Sequence, residues 1–189
     1  MMNRRLENYV KKFENFLEPD VCDAAVKQMS EIEFKEHTFY DPLTQEYINR
    51  SGSRELEVGR GEIPAKEKIM DGIWHAIQRY QDVFEFSWFN SWQGFTEVRF
   101  NKYSEDKQMA WHCDHIQSMF DGERKGIPIL SCLGLLNDDF EGGEFVMFDD
   151  MKIDLQKGDL LIFPSNFLYP HKVEPVKKGT RYSYISWVW

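Results

Sequence analysis

The hydrophobic periodicity of this chain changes near Trp92, and that change limits the folds it can adopt. Before it, apolar residues recur at helical spacing over 18–29 and again over 63–86, with Pro19 and Pro64 near the two helix starts. After it, short apolar runs alternate with turns, which is typical of strands. Helices followed by a run of strands predict a β-sandwich or barrel with helices packed against it.

Eight short strands are predicted in the second half, separated by Asn-, Asp- and Gly-containing turns. They cover residues 95–103, 109–114, 127–136, 144–148, 152–155, 159–163, 172–175 and 181–187. The expected fold class is therefore mainly β with N-terminal helices (α+β), in which a jelly-roll, cupin-like core is buttressed by the helices.

The whole chain, residues 1–189, is expected to form one domain, since this length supports one sizeable core. Within it, residues 1–91 are expected to be mainly helical support and residues 92–189 to form the β core. The segment 40–62 is rich in Gly, Arg, Ser and Glu and has weak periodicity. Both a lid over a site and an ordinary solvated loop fit that composition.

Charge and cysteine content narrow the functional classes. The formal net charge is −9 and no Lys/Arg-dense block is present, which argues against binding to a nucleic-acid backbone. No apolar run approaches membrane-spanning length, and the first residues lack a signal-peptide pattern. Cys22, Cys113 and Cys132 are odd in number and have no paired spacing. We expect a cytoplasmic protein without nucleic-acid or membrane partners.

His112 and Asp114 are separated by one residue in a predicted strand. Alternate side chains of a strand face the same way, so the two can face one point while Cys113 faces away. His171, from a later strand, can complete a set of two imidazoles and one carboxylate. That set leaves coordination positions open and is the ligand set of non-haem Fe(II) oxygenases. We predict that these three residues bind a metal ion.

The histidines of this chain allow other interpretations than an iron site. Zinc is less favoured because Cys113 faces the wrong way and no second cysteine lies nearby. His115 is expected on the opposite face, beside the site or at the surface. His37 and His75 lie in the helical half and are not expected to be ligands. A buried histidine without a metal remains the general alternative.

Arg181 begins the last predicted strand, and Ser183 lies on the same face. A guanidinium group forms two parallel hydrogen bonds with a carboxylate, and a nearby hydroxyl adds a third. An arginine inside an aromatic-walled barrel would be costly without an anion to pair with, whereas an arginine on a surface edge strand needs none. We predict that Arg181 binds a carboxylate.

The second half of the chain, from Phe95 to Trp187, resembles the 2-oxoglutarate- and Fe(II)-dependent dioxygenases, in particular the prolyl 4-hydroxylase branch. The matching segments, in order, are 112–114, 133–137, 140–145, 157–164, 171–173 and 179–183. The resemblance implies a double-stranded β-helix core in which Fe(II) is bound by His112, Asp114 and His171. It also implies 2-oxoglutarate as co-substrate, with ascorbate as a candidate reductant.

The resemblance further assigns residues to the co-substrate. Arg181, with Ser183, would hold the distal carboxylate of 2-oxoglutarate, and Tyr103 would be a further donor to it. Many prolyl hydroxylases carry lysine where this chain has Arg181, although related enzymes use arginine. The position of Leu135 is often tyrosine in the family.

The implied reaction is hydroxylation of an unactivated C–H bond by molecular oxygen, with release of succinate and carbon dioxide. The branch favours C4 of a peptidyl proline in a protein or peptide substrate. Segment 49–54 looks like the mobile loop over the site in prolyl hydroxylases, and aromatic faces pack well on a pyrrolidine ring. The candidate substrate residues are Arg50, Arg54, Trp111, Tyr169 and Trp187.

Two other functions stay open. One is a hydroxylase of a free amino acid or another small molecule, because the ligand and co-substrate residues do not select the substrate. The other is a non-catalytic jelly-roll module that binds a metal or ligand. Nucleic-acid demethylases are less similar, since they carry a second arginine on the last strand and residues 182–189 contain none.

Overall fold

Antiparallel strands make up most of the chain outside two helices. The computed structural model describes residues 5–41, 43–44, 46–49, 52–84, 92–114 and 128–189. The helices are α1 (Pro19–Gln28) and α2 (Pro64–Phe84), and both begin at the prolines that marked their starts in the sequence. Short 3-10 turns lie at Leu6–Tyr9, Met29–Glu31 and Gly52–Arg54.

The strands of the described residues are mostly three to six residues long. In chain order they are β1 (Lys11–Phe13), β2 (Phe34–Glu36), β3 (Phe39–Asp41), β4 (Glu46–Ile48), β5 (Glu57–Gly59), β6 (Arg99–Tyr103), β7 (Met109–His112), β8 (Leu130–Leu135), β9 (Glu141–Gly142), β10 (Phe145–Met147), β11 (Met151–Ile153), β12 (Leu160–Pro164), β13 (His171–Val173), β14 (Val176–Lys178) and β15 (Arg181–Val188).

Two sheets form the walls of the core. The larger has seven strands in the order β1-β12-β8-β15-β6-β5-β2, and the smaller has four in the order β11-β10-β13-β7. The pairs β14-β9 and β3-β4 form two further ribbons. This arrangement confirms the predicted mainly β fold class with N-terminal helices, and every pairing of the named strands is antiparallel.

Strand β15 shows how the larger sheet separates two apolar clusters. Tyr184 and Val188 face the cluster that contains the apolar sides of α1 and α2. Ile185 and Trp187 face the cluster between the two sheets, the barrel interior. Because side chains alternate along a strand, Arg181 lies on the barrel side with Ile185 and Trp187. The apolar residues that predicted α2 are all buried: Ile69, Ile73, Ala76, Ile77, Tyr80 and Phe84.

An irregularity in β7 decides which of its side chains enter the barrel. His112 pairs with His171 and Met109 pairs with Val173, so three residues of β7 span the distance of two in β13. The extra residue is a β-bulge, which re-aims side chains by changing the alternation. Met109 and His112 are therefore both buried, while Trp111 between them is 38% exposed.

The first half of the chain supplies strands as well as helices. β1 pairs with β12 at one edge of the larger sheet, and β5 pairs with β6 toward the other. The sequence periodicity indicated no strand before residue 95, because three-residue strands are too short to show a period. Segment 40–62 is partly ordered into β4, a 3-10 turn and β5.

Within the described residues, no helix is both long enough and apolar enough to cross a membrane.

Candidate metal centre

Two histidines and an aspartate meet where β7 pairs with β13. His112 and His171 are direct register partners, and their ring centroids lie 4.2 Å apart. Asp114 lies in the bend after β7, with its Oδ1 3.6 Å from Nε2 of His112 and 3.9 Å from Nε2 of His171. All three side chains are buried, and their ligand atoms lie within 4.8 Å of one another. The structure thus brings together the three predicted metal ligands.

Backbone carbonyls orient both imidazoles. Nδ1 of His112 lies 2.8 Å from the carbonyl oxygen of Ala110, and Nδ1 of His171 lies 3.1 Å from that of Tyr169. A carbonyl only accepts, so each Nδ1 carries the proton and donates it. The neutral tautomer that results leaves the Nε2 lone pair free and aimed at the shared space, as metal-bound histidines require.

Hydrogen bonds hold the Asp114 carboxylate in one orientation. The Ser131 hydroxyl donates to Oδ2 across 2.5 Å, and the Ser165 hydroxyl lies 2.8 Å from that of Ser131. Burial alone would raise the pKa of Asp114. This effect is outweighed by four neighbours that lower the pKa: His171, His112, the hydrogen bond from Ser131 and the indole of Trp187. The pKa therefore lies below its usual value, and the carboxylate is ionised and ready to bind a cation.

His112 is held in its neutral form. Burial, followed by repulsion from His171, lowers its pKa to about 3, although Asp114 acts in the opposite direction. Phe39 contacts the His112 ring edge-on at 5.8 Å, and Phe145 stacks on the His171 ring at 5.3 Å. These rings keep water from the outer sides of the imidazoles.

The donor set fits Fe(II). Two imidazole nitrogens and one carboxylate oxygen, directed at one shared space, form the facial triad of non-haem iron oxygenases. A thiolate would favour zinc, but Sγ of Cys113 turns away and lies 3.6 Å from the Phe167 carbonyl oxygen. The zinc alternative therefore gains no support from the described residues.

Arg181 lies in the same barrel and is 1% exposed. Its Nη1 donates to Oγ of Ser183 across 3.0 Å, and its guanidinium carbon lies 5.1 Å from the centre of the Tyr103 ring. No ion pair within 4.0 Å connects Arg181 to a carboxylate in the described ranges. Burial lowers the pKa of Arg181, which is the mark of a cation lacking a compensating charge.

A cleft extends from the surface of the protein to Arg181. Most of the side chains that line it are apolar. Its walls include Leu135, Phe140, Phe145 and Ile153. Besides Arg181, the charged lining residues are Lys152, Glu144 and Asp154, and Lys152 lies 3.9 Å from Glu144. The apolar part of the wall suits the chain of a small dicarboxylate, with the guanidinium of Arg181 binding one end.

The predicted substrate aromatics have different positions. Trp187 is 3% exposed in the barrel, and its indole favours the ionised form of Asp114. Trp111 lies on the outer side of the bulged β7 under Nζ of Lys172, 5.1 Å from the ring centre. The Tyr169 hydroxyl donates to the carbonyl oxygen of Leu6 across 3.2 Å. Of the three, Trp187 alone adjoins the metal ligands.

Several other candidates lie apart from the cluster. Arg54 is exposed at the end of a 3-10 turn, while Arg50 and His115 lie outside the described residues. The His37 ring packs edge-on against Phe39 at 4.7 Å. His75 is exposed on α2, with Nδ1 2.9 Å from the Asp71 carbonyl oxygen. The cluster found among the described residues consists of His112, Asp114 and His171 and includes neither of these two histidines.

Two residues near the metal ligands, Ser131 and Arg99, were not predicted from the sequence. No sequence signal distinguishes Ser131 from another serine in a strand. Arg99 could have been found, because it lies four residues before Tyr103 on the same strand and so on the same face.

Comparison with known proteins agrees with this geometry. The family model described as the 2OG-Fe(II) oxygenase superfamily matches residues 98–189. A PKHD-type hydroxylase of Idiomarina loihiensis is 38% identical over 94 residues, 48% of this chain and 41% of that protein. One of Xylella fastidiosa strain M12 is 36% identical over 107 residues, 48% of this chain and 43% of that protein. The chain thus matches less than half the length of these curated relatives.

Solved structures share the fold over nearly the whole chain. A viral collagen prolyl hydroxylase from Paramecium bursaria Chlorella virus-1 has a TM-score of 0.67 at 17% identity, covering 95% of this chain and 94% of that one. A prolyl-4-hydroxylase of Pseudomonas putida has a TM-score of 0.65 at 20% identity, covering 95% and 91%. A Trichoplax adhaerens prolyl hydroxylase bound to a peptide fragment has a TM-score of 0.70 at 19% identity, covering 96% and 84%. At these identities the likeness establishes the fold.

Proposed function

We propose that this protein is a 2-oxoglutarate- and Fe(II)-dependent dioxygenase, because residues 98–189 match the model of the 2OG-Fe(II) oxygenase superfamily and the fold is like that of prolyl hydroxylases. The proposed reaction hydroxylates an unactivated C–H bond, with C4 of a peptidyl proline as the favoured target. One oxygen atom of O2 enters the product hydroxyl and the other enters succinate, as 2-oxoglutarate loses carbon dioxide. The observation that carries this proposal is the buried His112, Asp114 and His171 cluster in one barrel with the unpaired cation of Arg181.

The three ligands have one task, which is to hold the metal with part of its coordination sphere open. Bound Fe(II) would supply the electrons and the coordination positions for 2-oxoglutarate and dioxygen. The carbonyls of Ala110 and Tyr169 keep the imidazoles in the tautomer that binds metal. The Ser131 hydroxyl keeps the carboxylate turned so that its free oxygen faces the same space.

Arg181, Ser183 and Tyr103 have a second task, which is to orient the co-substrate. The guanidinium of Arg181 would bind the carboxylate that lies farther from the metal, and the two hydroxyls would add hydrogen bonds. A bound dicarboxylate supplies the anion that this buried cation needs. Binding at this end places the keto acid end toward the metal, so that the reacting atoms are held close together.

Aromatic side chains exclude water around the reaction. Phe163 contacts the His171 ring edge-on at 5.0 Å, and Phe145 covers its face. Phe39, at the start of the β3–β4 hairpin, contacts His112, and the hairpin belongs to the segment proposed as a lid. We propose that substrate is held between this segment and the barrel, with Arg50 and Arg54 on the segment and Trp111, Tyr169 and Trp187 as candidate contacts.

The preference for peptidyl proline rests on relatives. The curated relatives are named as PKHD-type hydroxylases, the solved structures are named as prolyl hydroxylases, and one of these structures holds a peptide fragment. For the cellular setting we propose a reducing compartment such as the cytoplasm, because Cys22, Cys113 and Cys132 are all free thiols.

The proposal is tested with the purified protein, Fe(II), ascorbate and 2-oxoglutarate. Succinate release is measured with no added substrate, with proline-containing peptides, with the same peptides carrying alanine for proline, and with free L-proline. We expect iron-dependent succinate release that rises with the proline peptides, together with a product heavier by one oxygen atom. A rise with free proline but not peptides would favour a small-molecule hydroxylase. No succinate under any condition, with iron bound, would favour a non-catalytic module.

A further inference from the structure

A second arginine, Arg99, lies on the barrel side of the larger sheet close to the metal ligands. It pairs in register with Ile185 of β15, and its guanidinium carbon lies 5.1 Å from the centre of the Trp187 ring. Its Nε donates to Oδ1 of Asn101 across 3.1 Å. Stacking on one ring and one Nε–H bond leave the terminal N–H groups of the fork available for another acceptor.

The charge of Arg99 acts on the metal site. It is among the groups that lower the pKa of His112, and the Asp114 carboxylate in turn raises the pKa of Arg99. Burial is the larger effect and lowers the pKa of Arg99 to about 10. Arg99 is only partly buried, so part of its side chain is accessible to a ligand.

No carboxylate within 4.0 Å balances this cation in the part of the chain that the structure describes. A second cation also acts on Arg99: Arg60 follows β5 by one residue, and β5 pairs with β6 through Gly59 and Phe100. Arg60 repels Arg99 enough to lower its pKa. Arg99 and Arg60, the residue that follows β5 on the neighbouring strand, together form a candidate anion-binding edge near the metal ligands.

This edge stands out against the rest of the molecule. The chain has a formal net charge of −9, so an anionic molecule is repelled over most of the surface. A purely structural arginine in such a chain would be expected to pair with one of its many acids, as the buried Lys66 does with Glu62 and Glu97. Arg99 instead stacks on Trp187, beside the ligand Asp114.

Resting on the proposed function, we propose that Arg99, assisted by Arg60, binds a carboxylate of the substrate, so that this oxygenase acts on a molecule carrying an acidic group near the hydroxylated carbon. Two sources present the same chemistry. One is an acidic side chain beside the target residue of a peptide, and the other is the α-carboxylate of a free amino acid. Arg181 is already assigned to the distal carboxylate of the co-substrate, so the two arginines recognise different molecules.

The test compares the wild type with Arg99→Gln, Arg99→Lys and Arg79→Gln. Arg79 is the matched control because its guanidinium also stacks on an aromatic ring, that of Phe13 at 5.2 Å, but from α2. The probes are single-proline peptides with Asp or Asn at each position flanking the proline, and L-proline against L-prolinamide. Hydroxylated product is measured by mass spectrometry, and binding of the same probes to the iron-free protein is measured by calorimetry.

We expect the wild type and Arg79→Gln to prefer an acid over its matched amide by about tenfold or more, in turnover and in binding. Arg99→Gln should lose the preference, and Arg99→Lys should keep part of it. The proposal is overturned if the wild type turns over and binds acids and their matched amides equally. It is also overturned if the wild type neither turns over nor binds either of them. A preference that survives in Arg99→Gln overturns it as well.

A substrate-free reaction separates this proposal from the one on which it rests. Iron-dependent decarboxylation of 2-oxoglutarate without substrate should have the same KM for 2-oxoglutarate in Arg99→Gln and in the wild type. A raised KM would assign Arg99 to the co-substrate and overturn the substrate role. If the wild type with bound iron releases no succinate either with or without the probes, the oxygenase function itself is refuted, whereas the calorimetric comparison would still report on the anion-binding edge.

Discussion

Ser131 donates its hydroxyl hydrogen to Oδ2 of Asp114 across 2.5 Å, and this bond assigns the two carboxylate oxygens different tasks. Oδ2 is occupied, so Oδ1 is the oxygen that faces Nε2 of His112 and Nε2 of His171. Ser131 is fully buried in β8, on the sheet opposite the one that carries the two histidines. The larger sheet thereby orients a ligand that follows a strand of the smaller one.

Replacing Ser131 with alanine should weaken metal binding. Loss of a hydrogen bond to a metal ligand typically lowers affinity by about 10–100-fold, and Ser131→Ala also leaves Oδ2 unpaired. Metal affinity is measured by calorimetry with Fe(II) under anaerobic conditions. The control is Ser186→Ala, an equally buried serine whose hydroxyl donates to the Thr96 carbonyl oxygen instead. Equal losses in the two variants would argue against a role for Ser131 at the metal.

Replacing Asp114 with alanine should abolish iron-dependent decarboxylation of 2-oxoglutarate. The variant removes the only carboxylate of the cluster and leaves two neutral imidazoles, which hold a hard divalent cation poorly. Succinate release at saturating co-substrate is the measurement. Asp23→Ala is the control, since Asp23 forms an exposed ion pair with Lys157 away from the site. Full turnover by Asp114→Ala would mean that the metal ligands are misassigned.

Replacing Arg181 with alanine should raise the KM for 2-oxoglutarate. Removing one partner of a buried charge pair costs about 2–5 kcal/mol, so the rise should be about 30-fold or more. Arg181→Lys should be intermediate, because a lysine keeps the charge but not the fork. Ser183→Ala should show a smaller rise, as it removes one neutral group that contacts Arg181. An unchanged KM in Arg181→Ala would contradict the carboxylate role.

The metal-free protein should lose stability as the pH falls below about 6.5. Burial lowers the pKa of His112 from 6.5 to about 3. Between these two pH values the unfolded chain therefore binds a proton at His112 that the native state does not bind. As far as His112 is concerned, the free energy of unfolding is therefore highest above pH 6.5. It decreases on acidification, with a slope approaching about 1.4 kcal/mol per pH unit.

Asp114 contributes in a separate range. Its pKa is lowered from 3.8, so its stabilisation is lost only below that pH. Urea unfolding of the metal-free protein between about pH 4.5 and 6.5 thus measures the histidine effect. His112→Gln should reduce the slope in this range, and a slope equal to that of the wild type would exclude His112 as its source.

Replacing Gly134 with alanine should destabilise the fold. A Cβ at Gly134 would lie 2.1 Å from Cζ of Tyr184, the residue opposite on β15, so the ring would have to move. Overpacking of this kind costs about 1–3 kcal/mol, seen as a lower Tm in thermal unfolding. Adding Tyr184→Leu to Gly134→Ala should remove the clash and lose less than the two single changes together. Full additivity would show that the contact is not the cause.

Local patterns were enough to predict the parts of the structure that depend on neighbouring residues. The two helices begin at Pro19 and Pro64 because proline suits the first helical position and the apolar residues follow at helical spacing. His112 and Asp114 approach the same point, as the alternation predicted, even though the strand ends at His112. Family motifs in the second half indicated the barrel and the type of site.

Contacts between distant segments could not be predicted in this way. The strands of the first half are three residues long and join the sheet through partners far along the chain, such as β1 with β12. The spacing to Tyr103 indicates the face on which Arg99 lies, but not its contact with the Trp187 ring, which belongs to a strand much later in the chain. Arg50 and His115 lie outside the described residues, so their predicted roles stay predictions.

The sequence by itself determined the fold class and the residue types that can bind iron and a carboxylate, because periodicity, turns and motifs are properties of short segments. The tertiary structure decided which of these side chains meet. The register that pairs His112 with His171, the bulge that turns Trp111 outward, the burial of Arg181 and the stacking of Arg99 on Trp187 all depend on how separate strands pack. Strand register follows from the burial of whole faces against one another, which no single segment encodes.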